Sequence, residues 1–200
     1  TETYEDIEAI ARLAYLVREE FYKVPKENRK GRLRITVSTS CFIPKPHTPF
    51  QWFVQNTMEE FMEKQYFLKD KLKKIKGVVY NYHDAKVSRI ESIFATGDRK
   101  LAPAVKRAVE LGCKFDSWSE YFDYDKWMQA FNDTGIDVNA YFEQKELDAP
   151  LAWEHTSCGV SKKFLQKEWQ LALDEKTTDD CRDGCKGCGI KNCSMIKGAQ

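Results

Sequence analysis

Four cysteines lie close together near the end of the chain, at Cys181, Cys185, Cys188 and Cys193. Thiolates bind zinc and iron tightly, and short loops allow several of them to converge on one centre. The glycines among them permit the positive φ angles with which a chain turns around a metal. The spacing C-x3-C-x2-C-x4-C therefore predicts a zinc or an iron–sulfur site with these four ligands. The alternative is a frayed terminal tail with free thiols.

A second candidate site is the proline-rich loop 41–52. It directly follows residues 33–38, which are rich in β-branched side chains and form the best predicted strand of the sequence. In parallel α/β folds, ligands bind at the carboxyl ends of the strands. His47 and Gln51 could therefore face a ligand cavity, or they could satisfy neighbouring backbone groups in a proline-braced turn. The residues alone leave both interpretations open.

Hydrophobic periodicity and caps indicate the elements that must position these sites. They predict helices over residues 4–22, 57–77, 88–97, 98–112 and 161–174, short helices between 115 and 142, and a second strand at Val78–Tyr82. The spacing of Thr57 and Glu60, and that of Ser88 and Glu91, is typical of capping boxes. Two parallel strands do not form a sheet wide enough for so many helices to cover. The fold is therefore either mostly helical, or it lacks strands that lie upstream.

Composition excludes several classes of protein. The chain has 32 Lys+Arg against 31 Asp+Glu, a net charge of +1, so no global field indicates nucleic acid or an acidic membrane as a partner. No apolar run approaches the roughly 20 residues of a membrane helix. An odd number of cysteines, four of them crowded into one tail, does not fit a secreted disulfide framework, and residues 1–10 do not resemble a signal peptide. We therefore expect a cytoplasmic protein in which the remaining Cys41, Cys113 and Cys158 are packed thiols.

Several motifs, in order along almost the entire chain, resemble one family. They are the run 38–52, Gly97-Asp-Arg-Lys100, Phe115-Asp-Ser-Trp118, Leu151-Ala-Trp153, Gly159-Val-Ser-Lys162 and the terminal Cys-Arg-x2-Cys-x2-Cys-Gly. Together they are similar to large radical S-adenosylmethionine (radical SAM) proteins with an N-terminal cobalamin-binding-like domain, often described as Fe-S oxidoreductases.

The resemblance implies a helix-rich α/β fold. Residues 1–85 would be the last strand–helix units of a partial (β/α)6 radical SAM barrel, with residues 34–40 as the sixth strand. Residues 86–175 would be a helical extension, and residues 176–200 the cysteine-rich tail. The chain would then be the C-terminal part of a larger enzyme, and an open sheet edge should be visible.

The resemblance also implies cofactors. The family's catalytic C-x3-C-x2-C loop, which holds a 4Fe-4S cluster, would lie upstream, so the chain alone would be inactive and its first partner would be the missing N-terminal part. The tail contains the same spacing, but its fourth cysteine and its position after the last helix argue against a catalytic role. The resemblance places S-adenosylmethionine against the segment after the sixth strand, at Phe42, Ile43, Pro44, His47 and Gln51.

The resemblance leaves open the substrate, the use of cobalamin, and whether zinc or an accessory Fe-S cluster occupies the tail. The competing hypothesis is a zinc-stabilised helical binding module that docks a protein or RNA through residues 45–52.

Overall fold

The computed structural model describes residues 2–191 and residue 193, and it separates into two compact units. The first unit comprises the residues up to Phe42 together with Asn56–Arg89. The second comprises Ile43–Gln55 and the residues from Ile90 onward, so residues 43–52 of the proline-rich loop and the cysteine tail belong to the same unit. Of the predicted tail 176–200, residues 192 and 194–200 lie outside the described residues, as does Thr1. The three-part division at 85 and 175 stays a prediction.

The first unit contains a parallel strand pair with two long helices. Helix α1 spans Tyr4–Lys23, strand β1 Ile35–Thr39, helix α2 Met58–Leu72 and strand β2 Val78–Tyr82. The strands are parallel and in register from Ile35 opposite Val78 to Thr39 opposite Tyr82. Both predicted strands are confirmed, and α2 connects them, as a parallel pair requires.

Capping boxes start both helices. The Thr3 hydroxyl accepts a hydrogen bond from the Asp6 backbone N–H (3.3 Å), and the Asp6 carboxylate accepts one from the Thr3 N–H (2.8 Å). Thr57 and Glu60 repeat this arrangement at the start of α2. The predicted capping box of α2 is confirmed.

One face of the two-stranded sheet is covered and the other is not. The covered face packs against α1 and α2 in a core built from Ile7, Ala11, Ala14, Leu68 and Leu72, with Ile35, Val37, Val78 and Tyr80 of the strands against it. On the opposite face Thr36, Ser38 and Asn81 are exposed. Among the described residues the sheet has no third strand, so both outer edges are unpaired, as expected.

The next helix does not begin where the sequence pattern predicts. Helix α3 spans Ala85–Thr96, and its first N–H groups are capped by Asp84, whose Oδ1 accepts from Lys86 N (2.7 Å) and Val87 N (3.2 Å). Ser88 lies one turn inside the helix, where its hydroxyl donates to the Asp84 carbonyl (2.9 Å). The predicted Ser88 cap is therefore wrong.

The second unit is helical. Helix α4 spans Ala102–Glu110, α5 Tyr124–Asp133 and α6 Lys162–Leu173. Short 3-10 helices are found at Pro49–Trp52, Arg99–Leu101, Val138–Phe142 and Cys181–Asp183, and one at Lys26–Asn28 in the first unit. Ser161 caps α6 by accepting from Phe164 N (3.2 Å).

Two apolar cores stabilise this unit. The first contains Ile90, Ile93, Leu101, Ala104, Ala108, Cys113, Trp127, Ala130 and Phe131. The second contains Trp52, Leu151, Trp153, Leu165 and Trp169, and it joins the proline-rich loop to α6. The fold is therefore helix-rich α/β with two parallel strands, and no barrel is present among residues 2–191 and 193. In the same residues no helix has both the length and the apolar character to cross a bilayer.

Candidate functional site

Gln51 is the centre of a hydrogen-bond network in the proline-rich loop. Its side chain is buried, and its Oε1 accepts from the backbone N–H of His47 (3.0 Å) and from the indole Nε1–H of Trp153 (2.7 Å). Two N–H donors directed at one atom require that atom to be the amide oxygen. Residues 102 positions apart are thus joined by a buried hydrogen bond.

His47 is held at both its backbone and its ring. Its φ of 58° lies in the left-handed region, which costs a non-glycine residue about 1 kcal/mol. Its Nε2 lies 2.9 Å from Thr156 Oγ1, and the Thr156 hydroxyl donates its proton to the Trp153 carbonyl (2.8 Å). Because a hydroxyl has one proton, the Thr156 oxygen accepts from His47, whose Nε2 must carry the hydrogen.

The five residues expected at S-adenosylmethionine are divided between the two units. Phe42 is exposed and ends the first segment of the first unit, whereas Ile43, Pro44, His47 and Gln51 belong to the second. A hydrogen bond links His47 and Gln51, and the Gln51 oxygen uses both of its acceptor positions on protein donors. This geometry favours the alternative in which the Gln51 oxygen stabilises a proline-braced turn and does not face a ligand. Cofactor binding by the five residues stays a prediction.

Sequence reasoning did not single out Thr156 or Lys145. Thr156 is a hydrogen-bond partner of His47, and Lys145 donates its backbone N–H to the Trp52 carbonyl (3.1 Å). Burial lowers the pKa of the Lys145 ammonium, and the nearby Glu143 partly opposes this. Neither residue belongs to a local motif, because both roles depend on contacts with distant parts of the chain.

The four tail cysteines line one cavity in the second unit. Cys181 and Cys185 are exposed, Cys188 and Cys193 are half-buried, and all four are free thiols. The cavity has a volume of about 340 Å³, and its other walls are formed by Phe164, Glu168, Thr178, Asp179, Lys186, Gly187, Gly189 and Ile190. The four predicted ligands therefore lie around one space, and metal binding by them stays a prediction.

The described part of the tail is docked on α6. The Ser161 backbone N–H, at the start of α6, donates to the Cys188 carbonyl (2.8 Å). The Thr178 hydroxyl donates to Glu168 Oε1 (2.6 Å). A Cβ atom on Gly189 would lie 3.0 Å from Ser161 Cβ, so glycine permits the close approach of the two backbones. These contacts argue against a frayed tail.

The cysteines do not converge on a point. Among residues 2–191 and 193, no three His, Cys, Asp or Glu side chains are arranged to hold a metal ion. A tetrahedral zinc site with Zn–S bonds of about 2.3 Å requires sulfurs about 3.8 Å apart. The tail therefore presents four thiols around a cavity, and metal binding by them stays a prediction.

The other cysteines occupy different environments. Cys41 and Cys113 are buried as predicted, and burial raises the pKa of both thiols. In the first unit Gln65 Nε2 donates to Cys41 Sγ (3.5 Å). Cys158 is exposed, so the expectation of a packed thiol is wrong at that position.

Comparison of the chain with protein-family models, with curated proteins and with solved structures finds no match.

Proposed function

We propose that this chain is the C-terminal part of a radical SAM Fe-S oxidoreductase. It contributes part of the cavity for S-adenosylmethionine and substrate, and a cysteine-rich metal site. It is inactive alone, because the catalytic C-x3-C-x2-C loop lies upstream. The order of the family motifs supports this proposal, and the sheet of the first unit is the structural observation that supports it most.

A parallel sheet of only two strands is rarely stable without further strands or covering elements. Parallel sheets are normally buried on both faces, and a pair of strands is marginal on its own. Here one face exposes Thr36, Ser38 and Asn81, and both outer edges are unpaired among the described residues. A sheet that continues with strands from the preceding part of the polypeptide would satisfy those edges.

The hydrogen bonds of β1 indicate which of its groups are available for a further strand. Ile35 N donates to Gly77 O (2.8 Å), and Thr39 O accepts from His83 N (3.2 Å), so these two residues direct their backbone groups toward β2. In a parallel ladder successive residues direct their backbone N–H and C=O groups to alternate sides of the strand. Thr36 and Ser38 therefore present backbone groups at the outer edge.

This alternation provides a test of the proposal. Thr36→Pro removes an outer-edge donor without removing a β1–β2 hydrogen bond, whereas Thr36→Val keeps the donor and serves as the matched control. We expect the chain to co-purify with the co-expressed upstream polypeptide. Thr36→Pro should reduce the amount of co-purified upstream polypeptide at least about tenfold, because a lost hydrogen bond and a steric clash together cost more than about 1.4 kcal/mol. Equal amounts of upstream polypeptide co-purified with Thr36→Pro and with Thr36→Val would contradict the proposed strand pairing.

The zinc-stabilised docking module is less well supported. It requires residues 45–52 to be available to a partner. The single cation of that segment, Lys45, pairs with Glu91, and Gln51 and Trp52 are buried. These contacts leave little basic surface for RNA.

A further inference from the structure

The segment 115–121 between α4 and α5, here called the aromatic loop, has no role in the proposed function. Its three large aromatic side chains, Phe115, Trp118 and Tyr121, are 69%, 55% and 58% exposed. The aromatics that follow directly behave differently, since Phe122 and Tyr124 pack against the first apolar core of the second unit. Large apolar side chains grouped on a surface mark sites of interaction, and Trp and Tyr are enriched among residues that provide binding energy.

The three exposed rings form one patch. The centroid of the Phe115 ring lies 6.0 Å from that of Trp118, at an interplanar angle of 80°, and 6.1 Å from that of Tyr121, at 58°. Rings that meet at steep angles do not cover one another's faces completely. Because all three side chains are also more than half exposed, the patch presents open ring faces to a ligand.

Backbone hydrogen bonds hold the aromatic loop in place. The Trp118 N–H donates to the Phe115 carbonyl (3.0 Å), and the Tyr121 N–H donates to the Trp118 carbonyl (3.0 Å). The φ of Phe115 is 59°, in the left-handed region that is unfavourable for a residue other than glycine. On either side of the loop, Cys113 is buried in the first apolar core and Asp123 caps α5. The rings are therefore preorganised, which lowers the entropic cost of binding a partner.

Carboxylates lie next to the three aromatics along the chain. Residues 114–125 contain one lysine, Lys114, against four carboxylates: Asp116, Glu120, Asp123 and Asp125. Within the part of the chain that the structure describes, Asp123 is the one of these four with an ion pair, to Lys126 (3.4 Å). In the same part of the chain, Oδ1 of Asp116 is buried and has no hydrogen-bond partner. A cation bound nearby would offset the repulsion among these charges.

Aromatic faces and carboxylates together favour a cationic partner. The face of an aromatic ring carries a negative quadrupole and attracts a cation placed over it. Carboxylates strengthen this attraction and repel the phosphates of a nucleic acid. Arginine suits both groups, because its planar guanidinium stacks on ring faces and donates paired hydrogen bonds to a carboxylate.

We propose that the aromatic loop binds an arginine-containing segment of a protein partner. In this complex guanidinium groups lie over the rings of Trp118 and Tyr121 and close to the carboxylate of Glu120. The inference does not depend on the proposed function, since the loop contains neither the cysteine tail nor the residues expected at S-adenosylmethionine.

The test is a fluorescence-anisotropy titration of labelled octa-arginine with the 200-residue chain. Trp118→Leu and Tyr121→Leu keep an exposed apolar side chain but remove the ring face, so each should weaken binding about two- to fivefold. Glu120→Gln should weaken binding at least about twofold at low salt, and by less at high salt. Labelled octa-lysine should bind at least about twofold more weakly than octa-arginine, because an ammonium group neither stacks nor forms paired hydrogen bonds.

Two matched controls locate the site. Tyr66→Leu changes an exposed tyrosine outside the aromatic loop, and Glu146→Gln changes an exposed glutamate of the second unit. Both variants should bind octa-arginine as tightly as the unmodified chain. An equal loss of binding in either control would contradict the assigned site.

Other results also overturn the proposal. No binding of octa-arginine by the unmodified chain would contradict it outright, and equal affinity for octa-lysine would contradict the choice of arginine. Full binding by both leucine variants would contradict the role of the rings, and either variant decides this point if the other fails to fold. A dimer in sedimentation equilibrium that Trp118→Leu dissociates would assign the patch to a second copy of the chain instead.

Discussion

Replacing Gln51 tests whether the loop network stabilises the second unit. Gln51→Leu introduces an apolar side chain of similar size and removes the oxygen that accepts from Trp153 and His47. Leaving the buried indole N–H without a partner costs about 1–3 kcal/mol, and loss of the bond to the half-buried His47 N–H adds about 0.5 kcal/mol. We therefore expect the free energy of unfolding to fall by about 1.5–3.5 kcal/mol.

Urea unfolding followed by tryptophan fluorescence measures this effect selectively. All five tryptophans lie in the second unit, so the signal reports on that unit alone. With a slope of about 2 kcal/mol/M, the midpoint should fall by about 0.75–1.75 M. Gln144→Leu, which changes an exposed glutamine of the same unit, should leave the midpoint within about 0.3 M of that of the unmodified chain.

A double-mutant cycle isolates the Gln51–Trp153 contact. Trp153→Phe removes the indole donor, and it should cost less in the Gln51→Leu background because the donor has already lost its acceptor. We expect a coupling free energy of at least about 1 kcal/mol. A coupling within about 0.3 kcal/mol of zero would refute the reasoning that this bond joins the loop to residues 151–156.

Two further predictions concern thiols and pH. Cys158 should react with a maleimide at pH 8 at least about tenfold faster than Cys41 or Cys113, because burial raises the pKa of those two thiols and lowers their thiolate fraction. Peptide mass spectrometry measures the three reaction rates. Equal rates would contradict the burial of Cys41 and Cys113. The hydrogen bond from the Thr57 backbone N–H holds the pKa of Glu60 below its ordinary value, so the carboxylate stabilises the first unit at neutral pH, and this contribution is lost as pH falls through the lowered pKa. Glu60→Gln should therefore destabilise the chain at pH 7, and by progressively less as the pH is lowered, as measured by circular dichroism during urea unfolding. A destabilisation independent of pH would contradict this linkage.

The two predicted capping boxes show what local sequence can determine. Thr57 and Glu60 cap α2 because both partners lie within the first turn of the helix, so their contact needs no distant part of the chain. Ser88 and Glu91 have the same spacing, but Asp84 caps α3 one turn earlier. The earlier start places Ala85 in a buried cluster with Cys41 and Phe61, a contact that no local pattern contains.

The candidate sites were predictable to different degrees. The cysteine spacing predicts a metal site, because short loops constrain where the thiols can lie, and in the structure the four thiols line one cavity. It does not distinguish a zinc ion from an iron–sulfur cluster, because four thiolates on short loops can bind either. The loop motif indicates His47 and Gln51 as functional candidates, but their bonds to Thr156 and Trp153 cross about a hundred residues of chain and follow from tertiary packing alone.

Reductive cleavage of S-adenosylmethionine tests the central claim most directly. The chain would be assayed with dithionite under anaerobic conditions, alone and joined to the polypeptide that precedes it in its gene, and 5′-deoxyadenosine would be quantified. We predict formation of this product only by the joined protein, and its loss when the cysteines of the upstream C-x3-C-x2-C loop are replaced. An upstream polypeptide without that loop, or a joined and iron-loaded protein that yields no 5′-deoxyadenosine, would contradict the assignment of this chain to a radical SAM enzyme.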